Sequence, residues 1–72
     1  MMKVRYTDHA LERLKQIGIS KKEVEEALTR GKKENAEDDL RKSTYKSKKG
    51  TLIVIYNIEN TEEVGIITAY WN

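Results

Sequence analysis

Apolar and polar residues at the start of the chain follow two successive periods. Over residues 2–6 apolar and basic residues alternate, which predicts a short, half-buried strand. The apolar spacing then changes to three and four, which predicts a helix that is capped by Thr7 or Asp8 and ends at Gly18. The strand is expected to bury Met2, Val4 and Tyr6, and the helix Ala10, Leu11, Leu14 and Ile17.

A second helix is predicted from its start signal. Ser20 followed by Glu23 has the pattern of a capping box, in which each side chain accepts from the other residue's backbone N–H. The helix then continues to Arg30 and stops at Gly31. Its apolar face consists of Val24, Ala27 and Leu28. Two short helices in succession are expected to pack as a hairpin.

The second half of the chain has the pattern of β-structure. Residues 32–39 are polar and aperiodic, which indicates a loop or an irregular start of a strand. Residues 40–47 are mostly polar, as in an edge strand. Residues 51–58 are apolar on both faces, as in a central strand that is covered at least in part on both sides. Residues 64–71 form the last strand.

Strict alternation along the last strand predicts its two faces. One face carries Val64, Ile66, Thr68 and Tyr70, and the other carries Ile67, Ala69 and Trp71. The complete order of elements is β-α-α-β-β-β. We therefore predict an α+β protein in which two N-terminal helices pack on a three- to four-stranded antiparallel sheet.

The composition limits the chain to one small domain, residues 1–72, because 72 residues cannot close two separate cores. The absence of cysteine excludes disulfides, and His9 as the single histidine leaves no multi-histidine metal site, so no metal or cofactor is expected. No apolar run approaches the roughly 20 residues that span a bilayer, and no signal-peptide core is present. We expect a cytoplasmic protein without a membrane partner.

Charge is distributed unevenly, although the formal net charge is only +2. Residues 41–49 contain five basic residues and no acidic one. Such a strip attracts the phosphates of a nucleic acid, whereas lysines on an edge strand also prevent aggregation, and both interpretations stay open. The five residues are Arg41, Lys42, Lys46, Lys48 and Lys49.

Two pairs of polar residues exceed what folding requires. His9 and Arg13 share a helix face at the edge of the apolar stripe, where an imidazole could exchange a proton and a guanidinium could bind phosphate. Thr68 and Tyr70 place two hydroxyls near the end of the last strand. If that face meets the first helix, all four groups share one hollow. The alternatives are a helix-capping histidine beside a surface arginine, and an ordinary frayed strand end.

The chain also resembles a known family. Residues 7–14, 18–20 and 23–28 resemble the opening motif of a bacterial and archaeal domain-of-unknown-function family, number four-two-five-eight. Residues 52–56 and 66–70 look like the two final strands of that family. The family is similar in layout to toxins of the RelE and BrnT kind, which are small ribonucleases.

This resemblance implies a toxin-like, metal-independent endoribonuclease of a toxin–antitoxin system, in which a ribose 2′-hydroxyl attacks the adjacent phosphate. The positions that match the family's motifs, and hence the catalytic candidates, are His9, Arg13, Thr68 and Tyr70. Arg41 matches a basic residue of the first strand after the helices, and the basic residues of 41–49 would hold the RNA. RNA and a cognate antitoxin-like protein are the implied partners.

Two alternatives to catalysis follow from the residues. The chain could be a non-catalytic module that binds RNA or a protein through the basic 41–49 strand. It could also pair an exposed sheet edge with a partner chain or with a second copy of itself. Both a monomer and a homodimer are compatible with the sequence.

Overall fold

Residues 3–72 are described in a computed structural model and fold into two α-helices, a short 3₁₀ helix and five strands. The elements are β1 (Lys3–Tyr6), α1 (Asp8–Ile17), α2 (Lys21–Arg30), β2 (Lys32–Asn35), the 3₁₀ helix (Glu37–Asp39), β3 (Arg41–Ser47), β4 (Gly50–Asn60) and β5 (Glu63–Trp71). The predicted place of Met2 on the first strand falls outside the described residues. The predicted α+β class and the order β-α-α-β-β-β are present, with β2 as an additional strand after the helices.

Within residues 3–72 the sheet has five strands in the order β1-β5-β4-β3-β2 and is mixed. The first strand, β1, runs parallel to β5, whereas the other neighbours are antiparallel. The predicted three- to four-stranded antiparallel sheet is therefore wrong in strand number and in the direction of β1. Alternation specifies the faces of a strand but not its direction, and the polar β2 forms because its backbone pairs with β3.

The strand predicted at the sheet edge lies inside the sheet. Residues of β3 pair with β4 on one side and with β2 on the other, so the edge strand on this side of the sheet is β2, with the sequence KKEN. All four residues of β2 are exposed, as is typical of an edge that charged side chains protect against further pairing.

The predicted helix termini are confirmed. The Thr7 hydroxyl accepts from the Ala10 N–H at 3.0 Å, and Gly18 ends α1 in the left-handed conformation with a φ of 70°. At the start of α2 the Ser20 hydroxyl accepts from the Glu23 N–H at 3.2 Å, and the Glu23 carboxylate accepts from the Ser20 N–H at 3.1 Å. Local hydrogen bonds thus fix where each helix begins.

Both helices pack on the same face of the sheet, which we call the inner face. The core contains Ala10, Leu14, Ile19, Val24 and Ala27 from the helical half and Leu52, Val54, Tyr56, Val64, Ile66 and Ala69 from the sheet. In the described part of the chain no element covers the opposite side, which we call the open face. It carries Lys42, Thr44, Lys46, Ile53, Ile55, Thr68 and Tyr70.

The prediction that both sides of β4 are covered holds only for the inner face. On the open face Ile53 is nevertheless only 5% exposed. In the strand register it lies between Thr44 of β3 and Tyr70 of β5, whose side chains flank it. On the open face Ile53 is therefore covered by neighbouring side chains of the sheet itself, and not by another helix or strand of the described residues.

The end of α2 approaches β3 so closely that only glycine fits at position 31. The predicted stop of α2 at Gly31 is confirmed, and Gly31 has an extended backbone with a φ of −73°. A Cβ there would overlap the Ser43 hydroxyl and the Ala27 carbonyl. Ser43 is fully buried, and its hydroxyl donates to that same carbonyl, which anchors α2 on β3.

The capping box makes stability depend on pH. The Ser20 backbone N–H, with its hydroxyl and the Lys49 ammonium adding to it, holds the pKa of Glu23 below its ordinary value of 4.5. Because the folded protein prefers the ionised carboxylate, this contribution is complete above pH 4.5 and disappears as the pH falls through the folded-state pKa.

We therefore expect Glu23→Gln to lower the unfolding midpoint at pH 7, and the difference from the wild type to shrink as the pH falls below 4.5. Thermal unfolding followed by circular dichroism, at pH 7 and at a pH below 4.5, measures this difference in the unfolding midpoint. Glu62→Gln, which removes the same charge in the exposed β4–β5 turn, is the control. A Glu23→Gln deficit of equal size at both pH values would contradict the prediction.

Candidate functional site

A bulge in β5 determines which of its side chains face the helices. Ile55 pairs with Thr68 and Tyr56 pairs with Ile66, so Ile67 is an additional residue on β5. The additional residue reverses the alternation beyond it. Val64, Ile66, Ala69 and Trp71 all pack in or against the core, and Thr68 and Tyr70 lie on the open face.

The predicted grouping of Thr68 and Tyr70 with Val64 and Ile66 is therefore wrong, although the two hydroxyls do share a face. Beyond the bulge, Trp71 reaches α1 and its indole N–H donates to the Ile17 carbonyl at 3.3 Å. Thr68 and Tyr70 alternate with Ala69 and Trp71 and so point away from α1.

The predicted four-residue catalytic site is not assembled. His9 and Arg13 do lie together, beside Glu12 and Gln16, in a depression on the exposed surface of α1. The sheet separates this depression from the hydroxyls of the open face. The physical reason is that α1 packs on the inner face, whereas the bulge directs Thr68 and Tyr70 to the other side.

The open face instead combines the two hydroxyls with part of the basic strand. Two rows of side chains cross β3, β4 and β5, and a third begins where Lys46 pairs with Thr51. The first row is Lys42, Ile55 and Thr68, and the second is Thr44, Ile53 and Tyr70. Ammonium groups thus lie on the β3 side and hydroxyls on the β5 side of a shared apolar strip.

The remaining basic residues of the predicted strip lie elsewhere. Arg41 points to the other face of β3 and lines a separate depression with Asn35 and Asp39. Lys48 and Lys49 are exposed in the β3–β4 hairpin. The Lys49 ammonium is 3.4 Å from the Glu23 carboxylate. Only Lys42 and Lys46 of the five therefore belong to the open face.

The segment between β2 and β3 forms a wall at one side of the open face. A groove there, which we call the loop groove, is lined by Glu37, Asp38, Leu40, Lys42, Ile55 and Tyr70. The sequence indicated only a polar loop or an irregular start of a strand over residues 32–39. The signal in the sequence that could have revealed the tight turn of this segment is the pair Asp38 and Asp39. Aspartate is one of the few residues that tolerate a positive φ, and φ is 56° at Asp38 and 63° at Asp39.

At the opposite end of the open face one arginine lies beside two carboxylates. The Arg5 guanidinium lies 3.2 Å from the Glu59 carboxylate and 3.7 Å from that of Glu63. The Asn57 and Glu59 side chains occupy the space over Gly65, where a Cβ would collide with both. On the β3 side the Lys42 ammonium lies 3.7 Å from the Glu34 carboxylate, whereas Lys46 forms no salt bridge within residues 3–72.

A further perturbed group lies on the helix side. Burial, with the Glu25 carboxylate adding to it, raises the pKa of Tyr6 to about 12. Its hydroxyl is buried and has no hydrogen-bond partner within residues 3–72. Tyr6 thus stays protonated at neutral pH.

Two further findings concern ligands and membranes. Residues 3–72 contain no group of three or more His, Asp or Glu side chains placed to hold a metal ion. The helices in this part of the chain are too short and too polar for any of them to cross a bilayer.

Comparison with known proteins gives one match. A family model described as "Domain of unknown function (DUF4258)" matches residues 6–71, which include both helices and all strands except most of β1. No curated protein and no solved structure matches the chain. The match carries no activity with it, so the predicted RelE- or BrnT-like ribonuclease chemistry stays a prediction.

The assignment of faces on β5 can be tested by stability. Thr68→Val on the open face should change the free energy of unfolding by no more than about 0.5 kcal/mol. Ala69→Ser, at a fully buried neighbour, should cost about 1–3 kcal/mol because its hydroxyl would have no partner in the core. Urea unfolding measures both variants. A larger loss of unfolding free energy for Thr68→Val than for Ala69→Ser would contradict the assignment of faces that follows from the bulge.

Proposed function

The chain belongs to the DUF4258 family, and we propose that it binds single-stranded RNA on the open face of its sheet. The observation that carries the proposal is that Lys42, Lys46 and the exposed ring of Tyr70 share this face with a strip of β-branched side chains. The proposed partner is the RNA that the sequence predicted, and the proposed binding surface is the open face, where the sheet brings those residues together.

The chemistry of the open face suits an RNA strand. Lys42 and Lys46 provide ammonium groups for phosphates, and Thr44 and Thr68 provide hydroxyls that both donate and accept hydrogen bonds. Tyr70 is 42% exposed, which is unusual for so large an apolar side chain and leaves its ring free to stack on a base.

The form of the surface favours a single strand over a duplex. In the described residues no helix covers the open face, so unpaired bases can lie flat against the sheet. Stacking and phosphate contacts of this kind do not require base pairing.

We expect Lys42→Gln/Lys46→Gln to weaken binding of a labelled single-stranded RNA and to reduce the slope of log K against log salt by about 1.4, since each phosphate contact contributes about 0.7. Tyr70→Ala should weaken binding about 5- to 100-fold through lost stacking. Fluorescence anisotropy over a salt series measures both effects.

The matched control is Lys15→Gln/Lys22→Gln, which removes the same charge from exposed positions on the two helices. It should leave the affinity nearly unchanged, since these positions lie on the other side of the sheet. Equal weakening by the two lysine pairs would show that net charge, and not the open face, controls binding, and would contradict the proposal.

Cleavage of the bound RNA is a second candidate function, favoured by the position of Lys42 and Tyr70 in one groove. The 2′-oxygen would form a bond to phosphorus while the bond to the 5′-oxygen breaks, which leaves a 2′,3′-cyclic phosphate and a 5′-hydroxyl. The Lys42 ammonium would stabilise the charge on the phosphorane, Tyr70 would donate a proton to the leaving oxygen, and water would take the proton of the 2′-hydroxyl.

Cleavage on the open face would be lost in Tyr70→Phe, which keeps the ring, and retained in His9→Ala, since His9 lies across the sheet. Labelled RNA incubated with each variant in EDTA and resolved on a denaturing gel measures this. Loss of activity in His9→Ala alone would place the chemistry on α1. An inactive wild type that still binds RNA would remove this second candidate and leave the first.

A further inference from the structure

The loop groove has two kinds of lining that together fit a nucleobase better than a phosphate. Its floor is apolar, formed by Leu40, Ile55 and the ring of Tyr70, and its volume of about 460 Å³ falls within the range of small-ligand sites. Its rim carries the carboxylates of Glu37 and Asp38 and the ammonium of Lys42.

The charge of the rim makes the groove less favourable for a phosphate than the surface around Lys46. Glu37 and Asp38 outnumber Lys42, and the Lys42 ammonium also lies 3.7 Å from the Glu34 carboxylate. These carboxylates therefore weaken the attraction of Lys42 for a phosphate, whereas Lys46, farther along the open face, has no acidic neighbour in its strand pairing with Thr51. A base is thus directed into the groove while its backbone lies toward Lys46.

The hydrogen-bonding groups of the rim distinguish among bases. Ionised carboxylates only accept hydrogen bonds, and an ammonium only donates them. Guanine presents two adjacent donors, N1–H and the N2 amino group, beside the O6 carbonyl acceptor, which matches carboxylates next to an ammonium. Adenine has no carbonyl oxygen, uracil has no amino group, and cytosine has an amino donor but no ring N–H. Guanine therefore satisfies the rim most completely.

Backbone hydrogen bonds hold the segment that carries the carboxylates in position. The Ala36 N–H donates to the Leu40 carbonyl at 2.8 Å, and the Leu40 N–H donates to the Glu37 carbonyl at 3.0 Å. Between these bonds the chain turns through the positive φ of Asp38. The rim is thus ordered before a ligand enters, which lowers the entropic cost of recognition.

From this geometry we propose that the loop groove selects guanine in single-stranded RNA, with Tyr70 stacking on the base, Glu37 and Asp38 accepting from its N1–H and N2 amino group, and Lys42 donating to O6. The inference rests on the proposed function, because the remainder of the strand is held by the open face.

The test compares labelled pentanucleotides, U5 and its variants with a central G, A or C, by fluorescence anisotropy. The guanine oligonucleotide should bind the wild type about 5- to 100-fold more tightly than U5. Glu37→Gln/Asp38→Asn should abolish this preference without weakening the binding of U5. Asp39→Asn is the matched control in the same segment, because Asp39 lines the other depression, and it should keep the preference.

The outcomes separate the two proposals. Equal affinity for all four oligonucleotides, with binding still dependent on Lys46, would overturn guanine selection and leave RNA binding intact. No binding of any oligonucleotide would overturn both. Guanosine monophosphate should bind far more weakly than the oligonucleotide, since it has no phosphate within reach of Lys46. Equally tight binding of the mononucleotide would assign the groove to a free nucleotide and overturn its role in RNA recognition.

Discussion

Burial of the inner sheet face under α1 and α2 constrains the position of every other side chain on the sheet. The last strand meets this constraint with its bulge, because Ile66 and Ala69 both reach the core although they are three positions apart. Thr68 and Tyr70 are thereby directed to solvent. The chemistry of the open face is thus a consequence of how the core is filled, and the side chains that carry it are fixed by the packing behind them.

The parts of this fold that could be predicted from the sequence are those specified by neighbouring residues. Ser20 and Glu23 form their hydrogen bonds within one helical turn, so their pattern alone located the start of α2. The bulge at Ile67 depends on packing against elements distant in the chain, and strict alternation could not reveal it. The same holds for β2, whose polar residues form a strand only because β3 offers an unpaired edge.

The candidate site was predictable to a similar extent. The sequence placed Thr68 beside Tyr70, and His9 beside Arg13, because spacing within one strand or helix determines which side chains share a face. It could not determine which faces meet. Which faces meet depends on the side of the sheet on which each helix packs. Here α1, with His9 and Arg13, packs on the inner face, whereas Thr68 and Tyr70 lie on the open face. Lys42 of β3, two strands away, and not the imidazole, lines the same groove as Tyr70.

The pairing of β1 with β5 has a consequence for how the protein is made. Lys3 pairs with Glu63 and Tyr6 with Ile66, so β1 leaves the ribosome before the other four strands that the structure describes, and its partner β5 leaves after them. Until that partner emerges, β1 has no strand to bind, and the hairpins of β2, β3 and β4 are the parts that can form early from local contacts. Closure of the sheet is therefore a late event of synthesis, because β1 gains its partner only when β5 is made.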